Sequence, residues 1–514
     1  MKLNTKRVLF VGFAFFLICT FWQAYDTLVP KILTDKFGMS QSISGIIMAL
    51  DNLFALFLLP LFGALSDKTK TRLGRRTPYI LGGTLLAVAA VIALTFADVA
   101  QLKNLGDVAK VDTEESLVAL YEHEYDETLK TPMGEEFVLT ETFTREEFIA
   151  IRTQENGENN PDYTNYVVPA RQAYADDTTG EHPETLVLFI GLLLLVLIAM
   201  ATFRTPAVAL MPDVTIKPLR SKANAIINLM GTSGGILVLV LGIVFATGNA
   251  KNALMSYQGF FGVVVLVMLA ALGIFLWKVR EPRFVTEMEE ESRKFGLDNK
   301  DDDDQPKGGK RRLSKAEFRS LVFILASVVF WFMGYNAVTS KYSVYAGEVL
   351  NLDYNMTLML ANVAAIISYI PVGALASKIG RKKTIMTGII LLGTSFLVAS
   401  FMREGSPAIV MNLMFIMAGI GWATINVNSF PMVVELAGDS DVGKYTGFYY
   451  TASMAAQTLT PYLSGLLMDG VGMVSLFPYA TVFVALAFGT MLLVRHGDSK
   501  PLPKKSRLEM LDQD

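Results

Sequence analysis

The sequence predicts an all-α membrane protein, with twelve transmembrane helices arranged as two pseudo-symmetric halves of six. Three observations carry this. Of 514 residues, 52% are hydrophobic and only 18% charged, whereas soluble domains carry about a quarter charged residues. The apolar residues gather in uncharged runs such as Leu186–Ala201 and Val263–Trp277, the cores of segments near the 20 or so residues that cross a bilayer. Short motifs also recur at an offset of 310 residues: Tyr25-Asp26 as Tyr335-Asn336, and Gly63-Ala64-Leu65 as Gly373-Ala374-Leu375. This pattern excludes a soluble enzyme, a disordered chain and a nucleic-acid-binding protein.

Taken in order, the apolar runs place spans near residues 8–34, 42–64, 79–98, 185–211, 223–247, 256–278, 319–346, 355–376, 384–402, 408–434, 445–468 and 474–495. The first follows Lys2, Lys6 and Arg7 but is too long for a signal peptide. It carries Trp22 and Asp26 and lacks a small-residue cleavage site, so it reads as a span. Basic residues cluster in the connections after spans two (Lys68, Lys70, Arg72, Arg75, Arg76), four (Lys217, Arg220, Lys222) and eight (Lys378, Arg381, Lys382, Lys383). These connections lie on one side, along with both termini, and the positive-inside rule makes that side cytoplasmic. The expected location is the plasma or inner cell membrane.

Two soluble pieces interrupt the spans. Residues 99–184 fall on the external side and hold 20 Asp/Glu against 6 Lys/Arg. A connection this long either folds, here as a small acidic cap, or stays a mobile acidic loop. Residues 279–318, with Asp301–Asp304 and Lys310–Arg312, read as a solvated cytoplasmic linker; the other reading of the aspartate run is divalent-ion binding. The chain thus divides into an N-terminal half (1–278), the linker, a C-terminal half (319–495) and a tail (496–514). The one cysteine, Cys19, allows no intrachain disulfide or cysteine-based metal site. His123, His182 and His496 all lie outside the apolar runs, which excludes a histidine proton relay within the membrane.

The stretch Gly63-Ala-Leu-Ser-Asp67-Lys-Thr-Lys-Thr-Arg72-Leu-Gly74-Arg75-Arg76-Thr-Pro78 resembles the signature loop of the major facilitator superfamily. Its Arg-x-Gly-Arg-Arg-x-Pro ending is similar to the form found in sucrose transporters and the glycoside–pentoside–hexuronide:cation symporters. Trp22 to Pro30, Pro212-Asp213 through Ala223-Asn224, and Phe332 to Asn336 extend the resemblance into both halves. It implies alternating access, with a central site between halves built as repeats. One departure matters. The melibiose-permease branch has two span-two aspartates four residues apart as its sodium site, and here those positions read Ala55 and Leu59. Proton coupling, as in the sucrose-transporter branch, is therefore the expectation.

An intramembrane charge costs roughly 2.5–3.5 kcal/mol at a helix centre, so each needs a partner or a task. Asp51 lies nine residues into span two, about 14 Å deep at 1.5 Å per residue. Asp26 lies in the outer half of span one and Arg204 in the inner half of span four. Asp51 or Asp26 is the expected proton site, with Arg204 resetting it or donating to a sugar hydroxyl; the alternative is fixed buried pairs that hold helices together. Hydrogen-bonding and aromatic residues suited to a sugar are Trp22, Gln23, Tyr25, Asn52, Asn228, Tyr335, Asn336, Asn362, Trp422, Asn426, Asn428 and Gln457. For any one of them, the alternative is an interhelical hydrogen bond worth about 0.6 kcal/mol.

By resemblance, Asp67, Arg72, Arg75 and Arg76 lock the outward-facing state by pairing with helix ends of the other half. Topology alone would also keep these bases inside. The second copy has Ser377 in place of Asp67 and makes the weaker lock. Glu435, Asp439 and Asp441 with Lys444 either pair with the basic loops or are solvated. Gly231, Gly234 and Gly235 suit close helix contact.

There is no catalytic residue set, phosphate-binding loop, ATPase domain, metal site or cofactor motif, so energy comes from an ion gradient or the substrate's own. The expected function is proton-coupled uptake of a sugar, a disaccharide such as sucrose or maltose, by a monomer in the lipid bilayer. The rivals are transport of a lipid-like amphiphile and a sugar sensor that moves nothing.

Overall fold

The computed structural model describes residues 3–125, 128–155, 158–216, 219–294, 314–434, 436 and 442–496. Twelve long helices stand in the places of the expected spans: Thr5–Lys31 (continued to Lys36 by one wide turn), Gln41–Lys68, Thr77–Asn104, Pro183–Asp213, Arg220–Val244, Gln258–Lys278, Lys315–Glu348, Tyr354–Ile379, Arg381–Ala399, Ala408–Val434, Val442–Val471 and Leu476–Leu492. They are called spans one to twelve. Ten are long and apolar enough along their described residues to cross a membrane; the eighth and eleventh complete the bundle. Polar caps mark the start of several of them. Ser40 accepts from the Ile43 N–H ahead of span two, and Ser314 and Glu317 form a reciprocal cap on span seven, each satisfying end donors that would otherwise lack partners.

Spans one to six pack through one hydrophobic cluster that includes Leu17, Phe21, Phe203 and Phe260. Spans seven to twelve pack through another, built on Trp331, Tyr342, Tyr345 and Phe477. Span one lies against span five and three against four; in the other half, eight and nine both pack on ten, and seven on twelve. The two clusters meet mainly through spans two with eleven, five with eight, and one with seven.

Hydrogen bonds that join the clusters gather at one end. The Gln41 and Ser42 N–H groups donate to the Asp469 carboxylate, each at 2.8 Å, Lys341 donates to the Gln41 carbonyl, and Thr247 pairs with the Tyr354 hydroxyl at 2.8 Å. At the opposite end, which bears both termini, Arg76 bonds Asp213 and Lys382 donates to the Leu492 and Val494 carbonyls, each within its own half. The halves are therefore held together at the insert end.

The acidic connection is folded. Helices Glu114–Glu122, Leu139–Thr142, Arg145–Ala150 and Val168–Glu181, with two short antiparallel ladders, enclose a core of Leu117, Leu120, Phe148 and Tyr163. It caps the end where the halves are joined. Of the expected linker, residues Glu281–Lys294 form a helix docked on the N-terminal half, with Arg7 within 3.4 Å of Glu287 and 3.3 Å of Glu291. The helix is polar on its outer side, but Phe284 and Val285 pack on the core beneath. Asp301–Asp304, Lys310–Arg312, Lys217, Glu435, Asp439 and Asp441 lie outside the described residues, as do the side chains of Arg220, Lys222, Ser377, Lys378 and Lys444.

Candidate functional site

A cavity of about 390 Å³ lies between the halves near mid-depth. Gln23, Asp26, Tyr335, Asn336, Asn362, Trp422 and Gln457 all face it. Polar groups on helices surrounded by lipid must turn toward protein or water, and this cavity is where they converge. Two of its lining residues link the halves, the Asn362 amide donating to Gln23 Oε1 at 3.4 Å. Its wall is a flat platform: the rings of Tyr335 and Trp422 stack at 3.7 Å with their planes 1° apart, and Phe332 meets Trp422 edge-on at 5.2 Å. An aromatic face beside amides and a carboxylate suits a ligand with one apolar C–H face and a rim of hydroxyls.

Other expected residues lie elsewhere. Trp22, Asp51 and Arg204 share a second, smaller pocket of about 10 Å³ on the N-terminal side, which Ala55 and Leu59 also line. There the Arg204 guanidinium lies 5.4 Å from the Trp22 ring centre, and the Asn52 side chain donates to Asp51 at 2.7 Å. Asp51, Arg204 and Asp26 lie within electrostatic reach of one another, so the charges on spans one, two and four form one group, with only Asp26 on the main cavity. Tyr25 is buried and packs against Phe21 and Trp22. Asn428 is buried, its amide donating to the Thr424 carbonyl of its own helix at 2.9 Å, and it does not line the cavity. Asn426 pairs with Tyr369 instead, and Asn228 is exposed on span five.

Several residues that line the cavity were not singled out from the sequence: Thr27, Thr232, Thr339, Ser343 and Tyr369. Hydroxyls in helices commonly bond their own backbone, as Thr27 does to the Gln23 carbonyl at 2.7 Å, which hides them. Tyr369 did carry a signal, two turns beyond Asn362 on the same face.

At the end that bears the termini, the signature loop is tied within its own half. Asp213 of span four accepts from Arg76 at 2.9 Å and from Arg75 at 2.7 Å, and Asp67 also pairs with Arg76. Burial works against the charge of Arg76, but Asp213 and Asp67 more than offset it and raise its pKa. Arg72 is exposed. Among the described residues the loop's ion-pair partners lie within its own half, and Glu435, Asp439 and Asp441, its expected partners across the halves, lie outside the described residues. The residue that organises the loop is Glu281, at the start of the linker helix. Its carboxylate accepts the N–H groups of Arg75, Arg76 and Thr77 at 2.7, 2.9 and 2.7 Å and the Thr77 hydroxyl at 2.7 Å.

The sequence matches the model of the Major Facilitator Superfamily over residues 11–105, 179–429 and 354–511. Among curated proteins, a putative glycoside/cation symporter, YagG of Escherichia coli (strain K12), is 37% identical over 75 residues, 15% of this chain and 16% of that protein. The match thus spans about a sixth of that relative's length. Among solved structures, the xylose transporter XylE from E. coli, in an inward open conformation, superposes with a TM-score of 0.59 at 14% identity, over 97% of this chain and 98% of that one. A bacterial homologue of the iron transporter ferroportin, in an inward-facing state, gives 0.60 at 13% identity, over 96% and 99%. The nucleoside transporter NupG gives 0.55 at 11% identity, over 96% and 100%. These likenesses concern the fold, and with the family match they lead to one conclusion: the chain belongs to the Major Facilitator Superfamily of membrane transporters.

Proposed function

We propose that this chain is a proton-coupled symporter that takes up a sugar, of the size of a disaccharide such as sucrose or maltose, by alternating access. In this reading the face of the termini is cytoplasmic and the insert is external. The observation that carries the reading is the central cavity: a stacked Tyr335–Trp422 platform faces amides and the Asp26 carboxylate, and the other intramembrane charges stand just behind Trp22. The name of YagG, a putative glycoside/cation symporter, supports the same class.

The small pocket supports coupling to protons rather than sodium. A sodium ion needs several oxygen ligands, and Ala55 and Leu59, which line the pocket with Asp51, supply none from their side chains. A guanidinium in the same pocket repels a second cation. A proton needs only one carboxylate whose ionised form is made costly by its surroundings. Rocking of 1–278 against 319–514 then exposes the bound sugar and the protonated carboxyl together.

The test is proton movement in proteoliposomes with a pH-sensitive dye inside, on adding a panel of sugars without sodium. Internal acidification with one disaccharide supports the reading and names its substrate. No proton signal for any sugar would end the proton-coupled reading, and no uptake of labelled sugar either, with sodium or without, would replace it with the amphiphile or sensor reading. Within that assay, Trp422→Ala removes one ring of the platform and should raise the apparent KM about tenfold, or ~1.4 kcal/mol. Trp422→Phe should recover most of it. An unchanged KM in Trp422→Ala would remove the platform from the binding site.

A further inference from the structure

We propose that the acidic insert is a clasp across the joined end: it travels with the N-terminal half and holds the two halves together there through a polar seam with the C-terminal half. The inference concerns how the conformations are balanced, and it rests on the alternating-access reading only in that the seam must open.

The two sides of the insert are fastened differently. Toward the N-terminal half it is continuous with spans three and four. Gln101 of span three donates both to the Lys36 carbonyl at 2.9 Å and to Thr179 of the insert at 3.0 Å. The insert's core also takes in Leu254, from the connection between spans five and six. Toward the C-terminal half, no residue of spans seven to twelve joins that core among the described residues. The contacts seen there among the described residues are hydrogen bonds and one close approach of two turns, beside a groove that Pro132, Pro169, Met468 and Met473 help to line. Gln172 donates to Glu348, at the end of span seven, at 2.6 Å, and the same amide reaches Asp35 of span one at 3.4 Å. Asn159 donates to the Asn351 carbonyl at 2.6 Å. The hairpin turn at Gly134 (φ +91°) rests on the turn at Gly472 (φ +114°), so closely that a Cβ on Gly134 would overlap the Val471 carbonyl.

An apolar interface would be costly to separate because it exposes hydrocarbon to water. A seam of a few hydrogen bonds exchanges its partners for water at about 1 kcal/mol each. The seam is thus the part of the insert suited to opening and closing repeatedly, while the apolar side stays fixed. Gln172 is placed to do this, since one amide group holds carboxylates from both halves. The superfamily match also skips residues 106–178, so the clasp is an addition to a bundle that is complete without it.

The test is the distance between spin labels at Glu115→Cys in the insert and Ala408→Cys at the start of span ten, both exposed, in a Cys19→Ala background in lipid nanodiscs. A second pair, Glu115→Cys with Thr140→Cys, reports on the insert alone. Adding Asn159→Ala and Gln172→Ala should raise the ratio of the long to the short distance across the seam about tenfold, the weight of one to two hydrogen bonds. The distance within the insert should not change. Arg145→Ala, which breaks a pair with Glu122 inside the insert, should leave both distances alone. An unchanged seam distance in the double variant overturns the proposal. So does a broadened distance within the insert, which would make these side chains props of the insert's own fold, and so does an equal response to Arg145→Ala. The readout needs neither sugar nor protons, so a lengthened seam with no sugar-driven acidification would sink only the symporter reading.

Discussion

Glu281→Ala is expected to lower the stability of the protein by about 3–5 kcal/mol, the range for removing one partner of a buried charged network. The first N–H groups of a helix have no partners within it, and span three begins at Thr77 with its positive dipole end at the membrane surface. Glu281 meets three successive backbone N–H groups and one hydroxyl with a single carboxylate that is 1% exposed. Alanine would leave those donors buried and the positive end of span three without its anion. Gly74 belongs to the same device. Its φ of +112° favours glycine, and a Cβ there would run into the Glu281 carboxyl. Glu281→Gln keeps an acceptor oxygen but turns an amide NH2 toward backbone donors, and should cost about half as much. The measurement is the unfolding midpoint of the detergent-solubilised protein in a denaturant series, followed by tryptophan fluorescence. A loss below about 1 kcal/mol in Glu281→Ala would mean that water replaces the carboxylate without difficulty and the cap is ornamental.

How much of this was legible in the sequence depended on the physics behind each element. The spans are plain because crossing hydrocarbon demands length and apolarity, which a single pass along the chain reveals. The polar residues that face the cavity are legible one by one for the same reason: Gln23, Asn362 and Gln457 have few places to point on apolar helices. Which of them meet is not legible, because that depends on how helices rotate against each other. Asn426 and Asn428 sit two residues apart on span ten, yet one pairs with Tyr369 and the other turns to its own backbone. The fold of the insert was hidden because its core is assembled from Leu117, Leu120, Phe148 and Tyr163, scattered over helices too short to show a period. Glu281 was hidden in another way. It opens a stretch of alternating charges that reads as solvated surface, and its partners stand about 205 residues earlier. Only the tertiary fold brings a linker residue to the start of span three.

Asp51→Asn is expected to reduce sugar accumulation against a gradient about a hundredfold or more, equivalent to ~2.7 kcal/mol of lost coupling, while exchange of sugar across the membrane stays within a few-fold of the original. The substitution keeps the size of the side chain and its oxygen for the Asn52 amide, now 2.7 Å away, so the helix contact survives. What it removes is the ability to ionise. The pocket around Asp51 has room for about one water, and its walls are Phe54, Ala55, Leu59, Leu197 and Ala201 beside Trp22 and Arg204. A carboxylate there is supported by the guanidinium and the Asn52 groups and opposed by everything else, so small movements of Trp22 or Arg204 between the two states shift its proton affinity strongly. Exchange does not require the proton to leave, and a permanently neutral side chain permits it; net uptake does require release, and asparagine cannot supply it. Asp26 gives the contrasting result. It faces the central cavity itself, so Asp26→Asn should impair accumulation and exchange together by weakening binding. Should Asp51→Asn accumulate sugar normally while Asp26→Asn retains exchange alone, the roles are reversed, and the proton travels with the sugar in the central cavity instead of behind Trp22.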